Sequence, residues 1–398
     1  MDPSAVAALL SPEGRALLEG LPPYAEADAL RLGTALRARG TDPALVAAAL
    51  TQARLRQRAR AKFGDAAATM YLTPAGLEQA TRREVAAHHA RRYAAAGAGM
   101  VADLGCGLGG DAMALATAGV RVLAVEADAA TAALAAANLA RFPGVEARHG
   151  DALAVSLDGV DAVFADPARR TGGGRRVFDP AAYSPPLGAL LDLRTRVPDL
   201  GLKVAPGIPH AALPADAHAQ WVSVDGDVVE AGLWFAGLAP EGPGRSALVL
   251  GPRGAAVLAE PAPVPADAPV RAGQVRPLAA FLHEPDGAVI RAGLVARLAE
   301  DLGAGLVNED IAYLTGDAPA ASPFATSYRV LDLFDFGLKR LREYLRTRDV
   351  GALTIKKRGT AVEPEQLRRR LGLAGRASAT VVLTRLAGRQ VVIVVEPV

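Results

Sequence analysis

Asp103-Leu104-Gly105-Cys106-Gly107-Leu108-Gly109-Gly110-Asp111 follows a short apolar run that begins at Gly99. A strand, a glycine turn and then helical spacing open a βα unit. Working outward, the same alternation continues. Asp111 to Thr117 reads as a helix, Val120 to Glu126 as a second strand, and Ala129 to Arg141 as a second helix. Further strands are predicted at Val145 to Arg148, Ala162 to Ala165, Leu202 to Ala205, Gln220 to Val224 and Leu233 to Ala236. Ala247 to Leu258 reads as a closing antiparallel hairpin turned at Gly251-Pro-Arg-Gly254. Strand and helix in alternation predict an α/β fold with a doubly wound, mainly parallel sheet over 96–272. Residues 1–95 show only helical periodicity, with Gly40-Thr41-Asp42-Pro43 as a break and a helix start. A Pro- and Ala-rich linker, Glu260 to Asp267, precedes a small mixed α+β module over 273–398. Within it, Gly293 to Leu302 and Phe336 to Arg346 are predicted as helices. Ala352 to Lys356, Ala379 to Thr384 and Gln390 to Val395 are predicted as strands.

Ligands of an open parallel sheet bind beyond the carboxyl ends of its strands, so the polar residues there carry the functional reading. Gly105, Gly107 and Gly110 satisfy G-x-G-x-x-G, which keeps a nicotinamide dinucleotide open as a ligand. The acids favour another one. Asp103 would oppose a pyrophosphate but suits the cationic methionine end of S-adenosylmethionine. Glu126, followed by Ala127, ends the second strand, where a carboxylate accepts from ribose hydroxyls in either cofactor. Asp151 and Ala152 follow the third strand, where a methyltransferase places an acid for the adenine amino group. After the fourth strand, Asp166-Pro167-Ala168-Arg169-Arg170 stands where amino-methylating enzymes carry an acid or amide, two prolines and an aromatic. Asp166 can accept a hydrogen bond or proton from a nucleophile beside the donor. Pro167 and Arg169 would shape the acceptor pocket, and Arg170 would grip a phosphate.

Composition narrows the classes. The 398 residues imply more than one domain, and no apolar stretch is long enough for a bilayer despite 51% hydrophobic residues and a mean hydropathy of +0.19. Met1-Asp-Pro-Ser-Ala5 lacks the basic flank of a signal peptide, so a cytoplasmic protein is expected. Cys106 is the one cysteine, which rules out a disulfide framework and a cysteine-cluster metal site. It also argues against pyrimidine C5 methylation, which uses a catalytic thiolate. The six histidines lack ligand spacing and read as structural or solvent-facing, so no metal is expected. A monomer is compatible with the sequence. Charge is segregated: from Thr326 onward 15 Lys and Arg face 7 Asp and Glu, which is +8 in a chain whose total is +2. A basic module on an acidic body is a candidate polyanion binder. Lys356-Lys357-Arg358 at a strand end and Arg368-Arg369-Arg370 are its candidate contacts. So is Arg54 to Lys62, with a cation at every second position.

Together Asp103–Asp111, Asp166–Arg170, Lys203-Val-Ala-Pro-Gly-Ile-Pro209, Glu230-Ala-Gly-Leu-Trp234 and Leu353-Thr-Ile-Lys-Lys-Arg-Gly359 resemble bacterial class I methyltransferases with a THUMP-like C-terminal domain. The donor loop is also similar to that of trimethylguanosine synthases. The first resemblance runs from about Lys62 to the end. It implies a Rossmann-like methyltransferase sheet, S-adenosylmethionine as cofactor and RNA, tRNA or rRNA, as partner, with no membrane role. The basic residues fit this picture, with Arg170, Lys356, Lys357, Arg358 and Arg368 as the candidate RNA contacts. The resemblance also implies that Tyr71 to Thr81 folds over the donor, with Thr73, Gln79 and Thr81 in contact; a proline-started helix capped by Thr73 explains the same residues. Transfer of the donor's aminocarboxypropyl arm, methylation of a small molecule, and a non-catalytic RNA-binding protein that keeps the fold stay open.

Overall fold

In a computed structural model, which describes residues 2–168 and 182–398, the chain divides into two units. They are Met1–Ile208 with Gly232–Pro240, and Pro209–Ala231 with Glu241–Val398.

The first unit begins with helices α1 (Pro3–Leu10), α2 (Pro12–Glu19), α3 (Ala29–Ala38), α4 (Pro43–Phe63), α5 (Pro74–Gln79) and α6 (Arg83–Ala95). Four of them start on a proline, whose missing N–H is no loss in a first turn. The preceding Asp2, Ser11, Asp42 and Thr73 accept a backbone N–H from inside the helix. The sheet follows: β1 (Met100–Leu104), α7 (Gly110–Thr117), β2 (Arg121–Glu126), α8 (Ala129–Leu139), β3 (Val145–His149), β4 (Ala162–Ala165), α9 (Leu187–Leu191) and β5 (Leu200–Val204). The strands are parallel in the order β3-β2-β1-β4-β5. The order reverses between β1 and β4, and such a reversal opens a crevice at the strand ends. Val6, Leu55 and Phe63 of the leading helices share one core with Val101, Leu115, Leu134 and Phe164. The helices predicted over 1–95 therefore bury their apolar faces against the sheet and not among themselves alone.

β7 (Asp227–Trp234) carries the chain across the unit boundary at Gly232. In the second unit β6 (His218–Val224) pairs in parallel with β8 (Gly244–Gly251). β8 and β9 (Gly254–Ala259) form the predicted hairpin, with Gly251 opposite Gly254. Next come β10 (Phe281–Pro285), α10 (Gly287–Arg291), α11 (Val295–Asp301), β11 (Gly305–Asn308), β12 (Ile311–Gly316), β13 (Ala325–Asp335), α12 (Leu338–Arg346), β14 (Val350–Lys357), α13 (Pro364–Leu371), β15 (Ala377–Leu386) and β16 (Arg389–Pro397). Their sheet runs β11-β12-β10-β13-β16-β15-β14, with only β14 and β15 parallel and joined through α13.

The β-branched run Val391 to Val395 has a physical explanation. Val392 and Val394 pack with Leu341, Leu345, Leu367 and Leu371 of α12 and α13. Val391, Ile393 and Val395 pack with Leu282, Tyr313 and Tyr328. Successive residues of a strand face opposite sides, so both faces of β16 are covered from Val391 to Val395, and these positions are apolar while Arg389 and Glu396 at its ends are exposed. β10 to β13 and α13 were not legible. β13 alternates buried and exposed residues, and Arg329, Asp332 and Asp335 interrupt its apolar signal.

Candidate active site

The loop after β1 is built from glycines with left-handed backbone. Gly105, Gly107 and Gly109 have φ of +83°, +56° and +85°. A Cβ on Gly105 would lie 2.9 Å from the Asp166 carbonyl oxygen, while one on Gly107 would meet nothing within 4 Å. Gly105 therefore permits a close strand crossing, and Gly107 leaves open space before the backbone. Gly105→Ala forces a Cβ into backbone and into a disfavoured φ. It is expected to weaken donor binding and lower Tm together, measurable by calorimetry.

Asp103 is 1% exposed, and its Oδ2 has no hydrogen-bond partner among the described residues. Burial pushes its pKa well above the usual carboxylate range, and the charges of Asp111 and Asp166 add to this. A buried unpaired carboxylate oxygen is costly and fits a cation arriving in the space before Gly107. Glu126 ends β2: Oε2 accepts the Gly107 N–H at 3.0 Å and Oε1 the Asp128 N–H at 2.9 Å. An ionised carboxylate has lone pairs left over for ribose hydroxyls. Ala127 follows it, and its carbonyl lies 3.1 Å from His149 Nε2. Asp151 is exposed, and its Oδ1 accepts the Leu153 N–H at 2.8 Å across Ala152. These residues fit an S-adenosylmethionine-shaped ligand: a carboxylate for its cation, another near the ribose, an acid past β3.

Asp166 directly follows β4, two residues past Phe164, the register partner of Asp103, and its N–H donates to the Leu104 carbonyl at 3.2 Å. Its Oδ2 accepts from Lys203 Nζ at 2.7 Å. Pro167 is buried beside it. Arg169 and Arg170 lie outside the described residues. Lys203 also donates to Thr81 Oγ1 at 2.9 Å, Thr81 donates to Asp111 Oδ2 at 2.7 Å, and His89 Nδ1 lies 2.9 Å from Asp111 Oδ1.

Sequence reasoning assigned no role to Lys203, Asp111 or His89. The available signal was a lone lysine inside the apolar run Leu202 to Ala205. Burial pushes the Asp111 pKa up, but His89, by hydrogen bond and charge, with Lys203 and Thr81, holds it below the usual range. A folded pKa below the unfolded one contributes stability above the unfolded value and loses it as pH falls through the folded one. Asp111→Asn is therefore expected to lower Tm more at neutral pH than in acid, as scanning calorimetry across pH would show.

Tyr71 to Thr81 is strapped down by side chains from α4 and α8. Gln52 donates to and accepts from the Leu72 backbone. Asn138 does the same with Tyr71 and also donates to the Leu108 carbonyl of the donor loop at 3.0 Å. Arg56 donates to the Met70 carbonyl at 2.9 Å. Lys62 donates to the carbonyls of Leu77, Glu78 and Ala80, closing the C-terminal end of α5. Burial and nearby Lys203 and Arg82 lower the Lys62 pKa to about 8, against Glu78. Two cations of the Arg54–Lys62 run thus serve the fold and not a phosphate-facing surface. Thr73 caps α5 through the Gly76 N–H at 2.9 Å, and Gln79 is exposed at its last position. A Cβ on Gly76 would strike the Leu108 side chain at 2.8 Å, so α5 lies against the donor loop.

In the second unit the candidate RNA contacts Lys356, Lys357, Arg358 and Arg368 are engaged. Lys356 pairs with Glu284, Lys357 with Glu363 at 2.8 Å, and Arg368 with Glu365. Arg358 donates to the Ala312 carbonyl at 3.2 Å and lies 3.7 Å from Glu284. No group of His, Cys, Asp and Glu suited to a metal occurs among the described residues. No helix of the described residues is long and apolar enough to cross a membrane.

Residues 325–397 match the family described as THUMP domain-like, and residues 2–59 match a domain of unknown function (DUF8688). Two proteins of Mycobacterium tuberculosis, from strains H37Rv and CDC 1551, are each 38% identical over 343 residues. That span is 83% of this chain and 90% of theirs, and both are described as uncharacterized S-adenosylmethionine-dependent methyltransferases. A structure assigned to a methyltransferase of Porphyromonas gingivalis W83 superposes with a TM-score of 0.71 at 20% identity. It spans 94% of this chain and 100% of that one, which shows a shared fold.

Proposed function

The chain belongs to the S-adenosylmethionine-dependent methyltransferases, and from that premise we propose that it methylates a base nitrogen of tRNA or rRNA in the cytoplasm. S-Adenosylmethionine is its cofactor, and when bound it supplies an activated methyl group on a sulfonium. Because that donor is already activated, alignment and exclusion of water are what the protein must add.

Asp103 would receive the donor's cationic end, with Gly105 and Gly107 giving it room. Glu126 and Ala127 would border the ribose, and Asp151 and Ala152 the adenine. Thr73, Gln79 and Thr81, in the segment held against the donor loop, would close the site. Asp166 would accept from the acceptor N–H and take up its proton as the new bond forms, with Pro167 and Arg169 shaping the pocket. The observation that supports a nitrogen acceptor is this carboxylate at the end of β4, beside the donor acid. Cys106 supports the same reading: burial, with the charges of Asp103 and Glu126, pushes its thiol well above the usual range. A thiol so held is a poor thiolate nucleophile.

The THUMP domain-like match over 325–397 and the charge of +8 from Thr326 onward support an RNA partner. Residues 1–95 would form the helical cover, 96–272 the transferase domain and 273–398 the RNA-presenting module. Arg170, Lys356, Lys357, Arg358 and Arg368 would contact phosphates. Ion pairs at partly exposed sites are worth little, so phosphates can replace Glu363 and Glu365 as partners. Lys357→Glu with Arg368→Glu is expected to weaken RNA binding at every sequence and to reduce the salt slope by about one per lost phosphate contact. Filter binding over a salt series measures it.

The test of the reading itself is transfer of a tritiated methyl group from S-adenosylmethionine to total RNA from cells lacking the protein. Label in RNA supports it. Label confined to small molecules contradicts it, and an added aminocarboxypropyl mass on the nucleoside would assign the other transfer.

A further inference from the structure

We propose that Lys203 is the positioning residue of the acceptor site, fixing the Asp166 carboxylate and tying it through Thr81 to the segment that lies on the donor loop. The proposal rests on the reading of Asp166 as the group that orients the acceptor.

Register places the two side by side. Ala165 of β4 pairs with Leu202 of β5, so the next residues, Asp166 and Lys203, leave adjacent strand ends together. Lys203 is 3% exposed. Burying an ammonium is expensive unless its donors are met, and Nζ meets two oxygens, Asp166 Oδ2 at 2.7 Å and Thr81 Oγ1 at 2.9 Å. With Oδ2 held, the Asp166 carboxylate cannot turn freely about its Cβ–Cγ bond. Its orientation is set before an acceptor arrives, which is what preorganisation requires.

The second bond of Lys203 separates this from a plain core ion pair. Thr81 is the last residue of the segment strapped over Leu108. Its hydroxyl accepts from Lys203 and donates to Asp111, which His89 holds from behind. One chain of hydrogen bonds thus runs from α6, through the end of the donor-side segment, to the acceptor carboxylate. A network of this kind acts as a unit, so its members should fail together. The carboxylates of Asp103, Asp111 and Asp166 crowd the same region, and the charge of Lys203 bears on both Asp103 and Asp111.

A double-mutant cycle on the full-length protein tests the proposal. Wild type, Lys203→Met, Asp166→Ala and the double variant are compared for methyl transfer to total RNA, with donor Kd by titration calorimetry. Lys203→Met is expected to lower kcat by about 10–100-fold, the usual cost of losing an orienting partner, with KM for RNA and donor Kd unchanged. The double variant should be no slower than Asp166→Ala alone, because Lys203 acts through Asp166. Wild-type kcat in Lys203→Met, or losses that multiply in the double variant, would overturn the proposal. If Asp166→Ala itself turns over normally, the Asp166 reading fails and this one with it. Thr81→Val keeps the charge and the shape and covers the case in which Lys203→Met does not fold. It should slow transfer in the wild-type background and have no further effect in Asp166→Ala. A Thr81→Val enzyme as fast as wild type would equally overturn the coupling.

Discussion

Replacing Asp166 by alanine is expected to slow methyl transfer to RNA by about 10²–10⁴-fold and to leave donor binding intact. The acid lies past the end of β4, on the strand next to that of Asp103 and two residues beyond its register partner Phe164. It can therefore be removed without disturbing the glycine loop or Glu126. Loss of a positioned proton acceptor costs about 10²–10⁴-fold in kcat. The substitution also takes one partner from the buried Lys203 ammonium, so Tm should fall as well. The double variant with Lys203→Met removes that penalty and should regain Tm without regaining turnover. The measurements are single-turnover transfer, donor titration and thermal unfolding on the same preparations. Turnover in a folded Asp166→Ala protein would remove Asp166 from the chemistry.

Asp103→Asn is expected to gain stability and lose donor binding. In the free protein the Asp103 carboxylate is buried, its Oδ2 is unpartnered, and burial together with Asp111 and Asp166 raises its pKa well above normal. A folded pKa raised above the unfolded one means stability that is complete below the unfolded value and lost as pH rises through the folded one. At neutral pH the acid therefore destabilises the fold, and asparagine, of the same shape and without the charge, relieves it. Tm of the free protein should rise by about 2–4 °C, the shift that roughly 1 kcal/mol produces in a unit of this size. Donor affinity should fall on the order of 10²-fold, as when one partner of a buried charge pair is lost. In the wild type a cationic ligand draws Asp103 into its ionised form, so donor binding should release protons and tighten as pH rises. Titration calorimetry in buffers of different ionisation enthalpy would detect the release. An Asp103→Asn protein that binds the donor as tightly as wild type would show that the acid has another purpose.

The donor loop was legible because its information is local. Glycines at Gly105, Gly107 and Gly109 announce a backbone that other residues avoid, and Asp103 before them announces the ligand's charge. The hairpin at Gly251 to Gly254 was legible for the same reason. The rest of the site is non-local. Asp103 and Asp166 meet only because β4 pairs with β1, and Lys203 joins them only because β5 is next in the sheet. No periodicity records strand order. The straps on Tyr71 to Thr81 come from Gln52 and Asn138, single polar residues on otherwise apolar helix faces, and their partners are backbone groups. In the second unit the basic triplet Lys356 to Arg358 was visible as charge. The pairing of Lys356 and Arg358 with Glu284 was not, because that acid sits on β10, a strand the sequence hid.

Nucleoside mass spectrometry decides whether this chain methylates RNA. Total tRNA and rRNA from cells with and without the protein are digested and compared. One base-methylated nucleoside is expected to be lost with the protein and to return with the wild-type chain but not with Asp166→Ala. Identical methylated-nucleoside profiles in the two strains would contradict RNA methylation by this chain.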